Sequence, residues 1–345
     1  MKSKAELTRE EIIELLEKSD GSHDFSGMNL SGLNLNGINF TGVKFCSADL
    51  SGTRFYESIL YKSDLSGANL QNAYLVKVKA LETANMANIN FHGMNLNGCI
   101  FRNAQLAGAD FSNCSLMYTD FEGANLCGAN FSDADLKRSH LSNGQFENAN
   151  FVRADLKETS ISEADFHGAN LVGANLSDSK LSFVNMSKAN MSKVNLSRSQ
   201  CDELRLHFAN LDEALLCGSI FNAVDFSNAS LQFANFTGSR LISAKMESVV
   251  LNNAVFCAAS IPAIMFEDLN MSNANFYAAH MVGSSFKGSN LTGSDFRNAD
   301  LTAVSLFNSN ITQARFEGAN LNKTYFERSN MENASGLPES LLKSI

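Results

Sequence analysis

The chain has no tryptophan, only 2 prolines, and charged residues at just 18% of its 345 positions. So little charge beside 44% hydrophobic residues excludes an intrinsically disordered chain. The scarcity of proline excludes a proline-rich linker, and 22 glycines are too few for a collagen-like repeat. Basic residues are outnumbered, 27 against 36 acids, which argues against a general nucleic-acid binder and for no direct contact with DNA or RNA. No apolar run reaches membrane-spanning length, and residues 1–18 are charged throughout, so neither membrane insertion nor a signal peptide is expected. The seven cysteines lack the spacing of a disulfide framework. That favours a reducing compartment and a cytoplasmic location.

What the chain has is a period of five. From Phe25 to Leu75 every fifth residue is large and apolar; one extra residue intervenes within 76–80, and the count resumes at Leu81 and runs to Met331. Of these 62 central positions only Cys201 departs from the large apolar type. Two residues before each centre the side chain is usually small (Ala48, Ala68, Ala109, Ala124), and the residue between is usually Asn or Asp. The two residues after the centre favour Ser, Thr, Gly and Asn.

Five matches neither the 3.6 of a helix nor the 2 of a long strand. It matches a short extended segment, whose first and third residues point inward, followed by a two-residue turn. A chain that bends inward every five residues closes into a coil. Residues twenty apart hold like side chains: Leu136, Leu156, Leu176, Leu196 and Leu216 are followed by Phe236, Phe256, Phe276, Phe296 and Phe316. Identical side chains stacked in columns leave no voids, so the coil is expected to have four sides.

Units such as Ala68-Asn69-Leu70-Gln71-Asn72, Ala109-Asp110-Phe111-Ser112-Asn113 and Ala124-Asn125-Leu126-Cys127-Gly128 resemble the pentapeptide-repeat family, whose pattern is A(D/N)LXX. The resemblance covers residues 24 to 335 and implies an all-β fold, a right-handed quadrilateral β-helix. At four units per coil, about 15 coils spaced by ~4.8 Å would extend roughly 75 Å. The chain departs from the pattern where the inward small slot is bulky, at Met28, Leu33, Ile38, Val43, Leu204, Ile264 and Leu269, and swollen coils are expected there. A short N-terminal capping helix is expected within 1–23, where Thr8 and Glu11 have capping-box spacing and Ile12, Ile13, Leu15 and Leu16 form an apolar stripe. The solenoid then runs through 24–336. The tail 337–345 either caps the last coil or pairs two chains end to end as a homodimer, as related fluoroquinolone-resistance proteins do.

Catalytic and metal-binding motifs are missing. There is no CxxC, HExxH, GxxxxGK[ST] or GxSxG. His167 and His207 fall two coils apart, ~10 Å, too far to share a metal ion. Cys217 and Cys257 have the same spacing, and Cys99 and Cys114 occupy inward slots. The plentiful carboxylates sit mostly where the repeat places Asn or Asp anyway. The expectation is therefore no enzyme, no cofactor and no metal.

What remains is the charged surface. Between Asn103 and Leu136 lie Asp110, Asp120, Glu122, Asp133 and Asp135 with no Lys or Arg; between Ser179 and Cys201 lie Lys180, Lys188, Lys193 and Arg198 with no acid. The two windows read as opposite-sign girdles that orient a protein partner on a rigid scaffold. An Asn column (Asn130, Asn150, Asn170, Asn190, Asn210) reads as a support of the stack. The family resemblance raises two alternatives. One is a mimic of B-DNA acting on gyrase, although ~75 Å of duplex would carry ~44 negative charges against the formal net charge of −9. The other is a bacterial effector translocated into host cells.

Overall fold

The computed structural model describes residues 5–19, 23–75, 78, 81 and 84–339. Almost all of the 76–80 slip and the end of the tail, 340–345, lie outside the described residues. The chain divides into two compact units, Met1–Asn170 and Leu171–Ile345, both built from four-sided β-helical coils.

How one repeat closes on itself is seen around Phe131. The N–H of Asn130 donates to the Ala109 carbonyl one coil below (2.9 Å), and those of Phe131 and Asp133 donate to the Asn150 and Val152 carbonyls one coil above (2.6 and 3.0 Å). The N–H of Ala134 closes the turn on the Phe131 carbonyl at 3.1 Å. One donor is left over, the N–H of Ser132, and the Asn130 side-chain Oδ1 accepts it at 3.2 Å. The Asn/Asp preference before each centre thus has a cause: the side chain satisfies the single backbone donor that the ladder omits. The second turn residue lies at positive φ (58° at Asp133, 66° at Gly128), as a type II turn requires. Non-glycine residues adopt this conformation throughout, including Phe183, Phe208 and Phe233.

In the first unit the helix α1 (Arg9–Lys18) precedes the coils. Its capping box is complete: the Glu11 N–H donates to the Thr8 hydroxyl and the Thr8 N–H to the Glu11 carboxylate. Ile12 and Leu16 are buried. The helix is tied to the first coil by the Glu6 N–H on the Asn29 carbonyl (2.8 Å) and by the Arg9 guanidinium on the Asn34 and Asn36 carbonyls (2.7 and 2.9 Å). These are carbonyls that a preceding coil would otherwise have met, so the open lower edge is covered.

Ladder partners are twenty residues apart, as in Asp110↔Asn130↔Asn150, and twenty-one apart across the slip, as in Asp64↔Asn85. The extra residue has a local cost. Tyr74 pairs downward with Arg54, but no ladder bond among the described residues joins it upward to Asn95, and a groove of about 400 Å³ opens between them. Inside, Phe91, Phe111, Phe131 and Phe151 stack with ring centroids 5.0, 4.9 and 4.7 Å apart. That is the spacing of the strands that carry them.

The second unit repeats the design. Phe236, Phe256, Phe276, Phe296 and Phe316 form a column with centroid spacings of 4.7, 5.1, 5.0 and 5.0 Å. On one wall four edges lengthen into a parallel sheet, β1 (Lys180–Ser182), β2 (Gln200–Asp202), β3 (Ile220–Asn222) and β4 (Arg240–Ile242), in that order. None of these edges carries Asn or Asp in the outward slot, so no side chain of that type draws the next N–H away. Behind them runs a buried hydroxyl column: Ser199 and Ser219 donate to the Leu176 and Leu196 carbonyls at 2.8 and 2.6 Å.

Of the bulky inward residues, Ile264 is one that opens the coil. Ile264 stands over Ala244, and the ladder between Lys245 and Met265 is lost; the Ile264 N–H turns instead to the Ser284 hydroxyl at 3.1 Å. Swelling was equally expected at Leu204, but there the ladder holds, with the Arg205 N–H 3.0 Å from the Val184 carbonyl. Its column neighbours Val184 and Val224 are also large, so the wall widens gradually. The ladders above Met28, Leu33 and Ile38 are intact as well.

Candidate protein-binding walls

Because successive edges face different walls, residues close in sequence separate in space. In the first unit Asp110 lies in the Asn90–Asp110–Asn130 ladder, Asp120 in the Ile100–Asp120–His140 ladder and Asp135 in the Ser115–Asp135–Asp155 ladder. Glu122 lies beside Asp120, and Asp133 occupies the corner before Asp135. The five acids therefore spread over three walls and do not form one patch.

Four of them are also paired, by cations that the 103–136 window leaves out. Arg102 holds Asp120 at 2.7 Å and Glu122 at 3.5 Å. Arg153 grips both oxygens of Asp133, at 2.7 and 2.6 Å, and this hydrogen bonding keeps the Asp133 carboxyl below its usual range. Lys137 bridges Asp135 and Asp155 at 3.2 and 3.0 Å. The fifth acid, Asp110, accepts from the Asn130 amide at 3.1 Å. Arg138 adds a further link, to Glu158 at 2.6 Å and to the Tyr118 hydroxyl at 2.9 Å. Arg102, Lys137, Arg138 and Arg153 are the residues that a linear reading misses; the signal that finds them is a spacing of 18 to 20 residues from an acid.

In the second unit Lys180 is on the β1 edge, while Lys188, Lys193 and Arg198 occupy three successive corners. Arg198 is held by Asp178 at 2.7 Å and Lys193 lies 3.6 Å from Glu213. Lys180 and Lys188 make no ion pair among the described residues.

Among the described residues there is no group of three or more His, Cys, Asp or Glu able to hold a metal ion. Burial pushes the Cys99 thiol up to about 11 and, despite backbone hydrogen bonds, the Cys114 thiol up to about 12. Both stay protonated and unreactive. No helix among the described residues is long and apolar enough to cross a membrane.

Two family models match this pattern: a pentapeptide repeat region at 79–151 and 259–335, and pentapeptide repeats (8 copies) at 24–61, 159–198, 199–238 and 209–247. Together they take in well over half the chain. The chain belongs to the pentapeptide-repeat family. Other pentapeptide-repeat proteins appear among the solved structures. HetL, involved in heterocyst differentiation regulation in the cyanobacterium Nostoc, is 20% identical over 96% of this chain and 99% of its own, with a TM-score of 0.21. QnrB1, a plasmid-mediated fluoroquinolone resistance protein, is 17% identical over 59% and 94%, with a TM-score of 0.29. A pentapeptide repeat protein of the Arabidopsis thaliana thylakoid lumen is 30% identical over 31% and 67%, with a TM-score of 0.15. A search of curated proteins finds no significant match.

Proposed function

We propose that this pentapeptide-repeat protein is a non-enzymatic scaffold that holds a protein partner against its flat walls. The observation that carries this reading is the coil-to-coil pairing of outward side chains. Arg153–Asp133, Arg138–Glu158 and Arg198–Asp178 each join residues twenty apart, and Asn150 and Asn290 donate to Asn130 and Asn270 in the same way. Outward groups are thereby fixed before any partner arrives, which lowers the entropic cost of recognition. The pairing weighs against DNA mimicry towards gyrase, since four of the five acids of the acidic window are already neutralised by cations.

The unpaired Lys188 provides the test. The full chain and its Lys188→Glu variant are immobilised side by side and proteins retained from the cells of origin are compared. A retained protein that is lost with Lys188→Glu, with melting temperature unchanged, supports the reading. Recovery of no specific protein by the unmodified chain overturns it.

A further inference from the structure

On one wall of the second unit, the wall of Asp225, Lys245, Met265, Ser285 and Ser305, the ladder is unzipped over a continuous run. Between the coil through Lys245 and the coil through Met265, five successive bonds of the repeat are missing among the described residues. They are those from the Ser243, Met246 and Ser248 N–H groups to the Pro262, Met265 and Glu267 carbonyls, and those from the Met265 and Asn270 N–H groups to the Ala244 and Val249 carbonyls. One coil below, all five equivalents are present, from the Ala223 N–H on the Ile242 carbonyl (2.8 Å) to the Val250 N–H on the Ala229 carbonyl (3.1 Å). One coil above they are present again, from the Ala263 N–H on the Val282 carbonyl (3.0 Å) to the Asn290 N–H on the Leu269 carbonyl (2.9 Å). The gap also ends sharply around the circuit. The Leu241 N–H meets the Ser260 carbonyl at 2.9 Å before it, and the Leu251 N–H meets the Asn270 carbonyl at 3.1 Å after it.

Two neighbouring inward slots of the upper edge are overfilled. Ile264 lies over Ala244 and Leu269 over Val249, and their N–H groups turn to the hydroxyls of Ser284 and Ser289 in the coil above, at 3.1 and 2.9 Å. Those hydroxyls donate in turn to the Ile261 and Phe266 carbonyls, so each stands in place of the turn-closing bond seen at Ala134. At the mouth of the gap Met265 is 70% exposed, the highest value of any large hydrophobic residue described. Behind it the central column runs Phe226, Met246, Phe266, Phe286. Its one flexible, unbranched member lies under the gap, where it can follow a moving edge.

Two opposing effects of similar size meet here. Five donors and five acceptors of the backbone are left to solvent, and pairing them favours a closed edge. Closing presses Ile264 onto Ala244 and Leu269 onto Val249, and overpacking of a core opposes it. We infer that this seam is a conformational joint within the second unit: the edge 262–270 opens and closes on the edge 243–249 while the other three walls keep the two coils zipped. The inference stands independently of the scaffold reading.

Hydrogen exchange of the unmodified full chain, resolved by residue, is the first test. The amides of Ser243, Met246 and Ser248 should exchange at least tenfold faster than those of Ala223, Phe226 and Asn228 one coil below; equal protection overturns the inference. Closing is read by a thiol trap. Lys245→Cys with Met265→Cys places a pair across the seam, and Ser285→Cys with Ser305→Cys places a control pair across a closed ladder of the same wall. All four positions face outward, so folding is kept. A disulfide needs Cα atoms within about 7 Å of each other, so the seam pair can link only when the edge is closed. With oxidised glutathione the seam pair should link to completion but at least threefold more slowly than the control pair, with the linkage mapped by mass spectrometry. Linking at the control rate means a seam that is shut in solution, and no linking means one that is fixed open; either result overturns the inference.

Discussion

Gly144 occupies an inward slot whose column neighbours are Ala104, Ala124 and Ala164. On pattern alone Gly144→Ala should stabilise the protein by about 0.4–1 kcal/mol, through the reduced freedom of the unfolded chain. The structure predicts the opposite. A Cβ at 144 would stand 2.5 Å from Phe146 Cε2, 3.0 Å from its Cζ and 3.1 Å from the Leu141 carbonyl oxygen. The ring has nowhere easy to go, stacked on Phe166 at 4.6 Å and edge-on to Phe151 at 5.7 Å. Overpacking of this kind costs about 1–3 kcal/mol, which leaves a net loss of about 1–2 kcal/mol after the entropic gain. With a urea slope of about 2 kcal/mol/M, the unfolding midpoint should fall by about 0.5–1 M. The second arm removes the obstacle. In a Phe146→Leu background, where a Leu continues the column from Leu126, Gly144→Ala should become neutral or stabilising by up to ~1 kcal/mol. A raised midpoint in the unmodified chain, or an equal loss in both backgrounds, would refute the packing argument.

Two further outcomes follow from the second unit. Ser239 Oγ is buried without a hydrogen-bond partner, whereas Ser219 Oγ donates to the Leu196 carbonyl; Ser239→Ala should therefore leave thermal stability unchanged or raise it, while Ser219→Ala lowers it by about 1 kcal/mol. Burial raises the Asp295 carboxyl, but hydrogen bonds from Arg297 and the charges of Arg315 and Arg297 outweigh it and hold the group below 3.8. The unfolded chain then binds the proton first, so this stabilisation is complete above the ordinary carboxylate range and lost as pH falls through the lower folded value; Asp295→Asn should flatten the acid limb of a stability–pH curve, and an unchanged limb would count against it.

The period of five, the four sides and the columns were legible because each rests on a side chain that must point inward, and inward positions tolerate few substitutes. Leu136 and Leu156 share a wall, as the column predicts: the Leu136 N–H donates to the Asp155 carbonyl at 2.7 Å. The role of Asn130 was only half visible. Its column suggested support of the stack, whereas its Oδ1 also satisfies Ser132 within the same repeat, and this becomes clear only when every backbone donor is counted. Least legible were the charged residues. A window along the chain gathers Asp120 and Asp133 and leaves out Arg102 and Arg153, although in a coil the electrostatic neighbour is the residue one circuit away. The size of one inward residue likewise does not foretell an opened coil: the ladder holds at Leu204 and is lost at Ile264.

The ladder opened at Tyr74 has a consequence for how such a chain can change length. A single added residue is absorbed only by opening the ladder beside it and leaves backbone groups there unmatched, whereas a duplicated block of twenty lands each newcomer on a copy of itself. Growth by whole circuits requires no new contact to be invented, so tandem duplication is the low-barrier route by which this architecture lengthens.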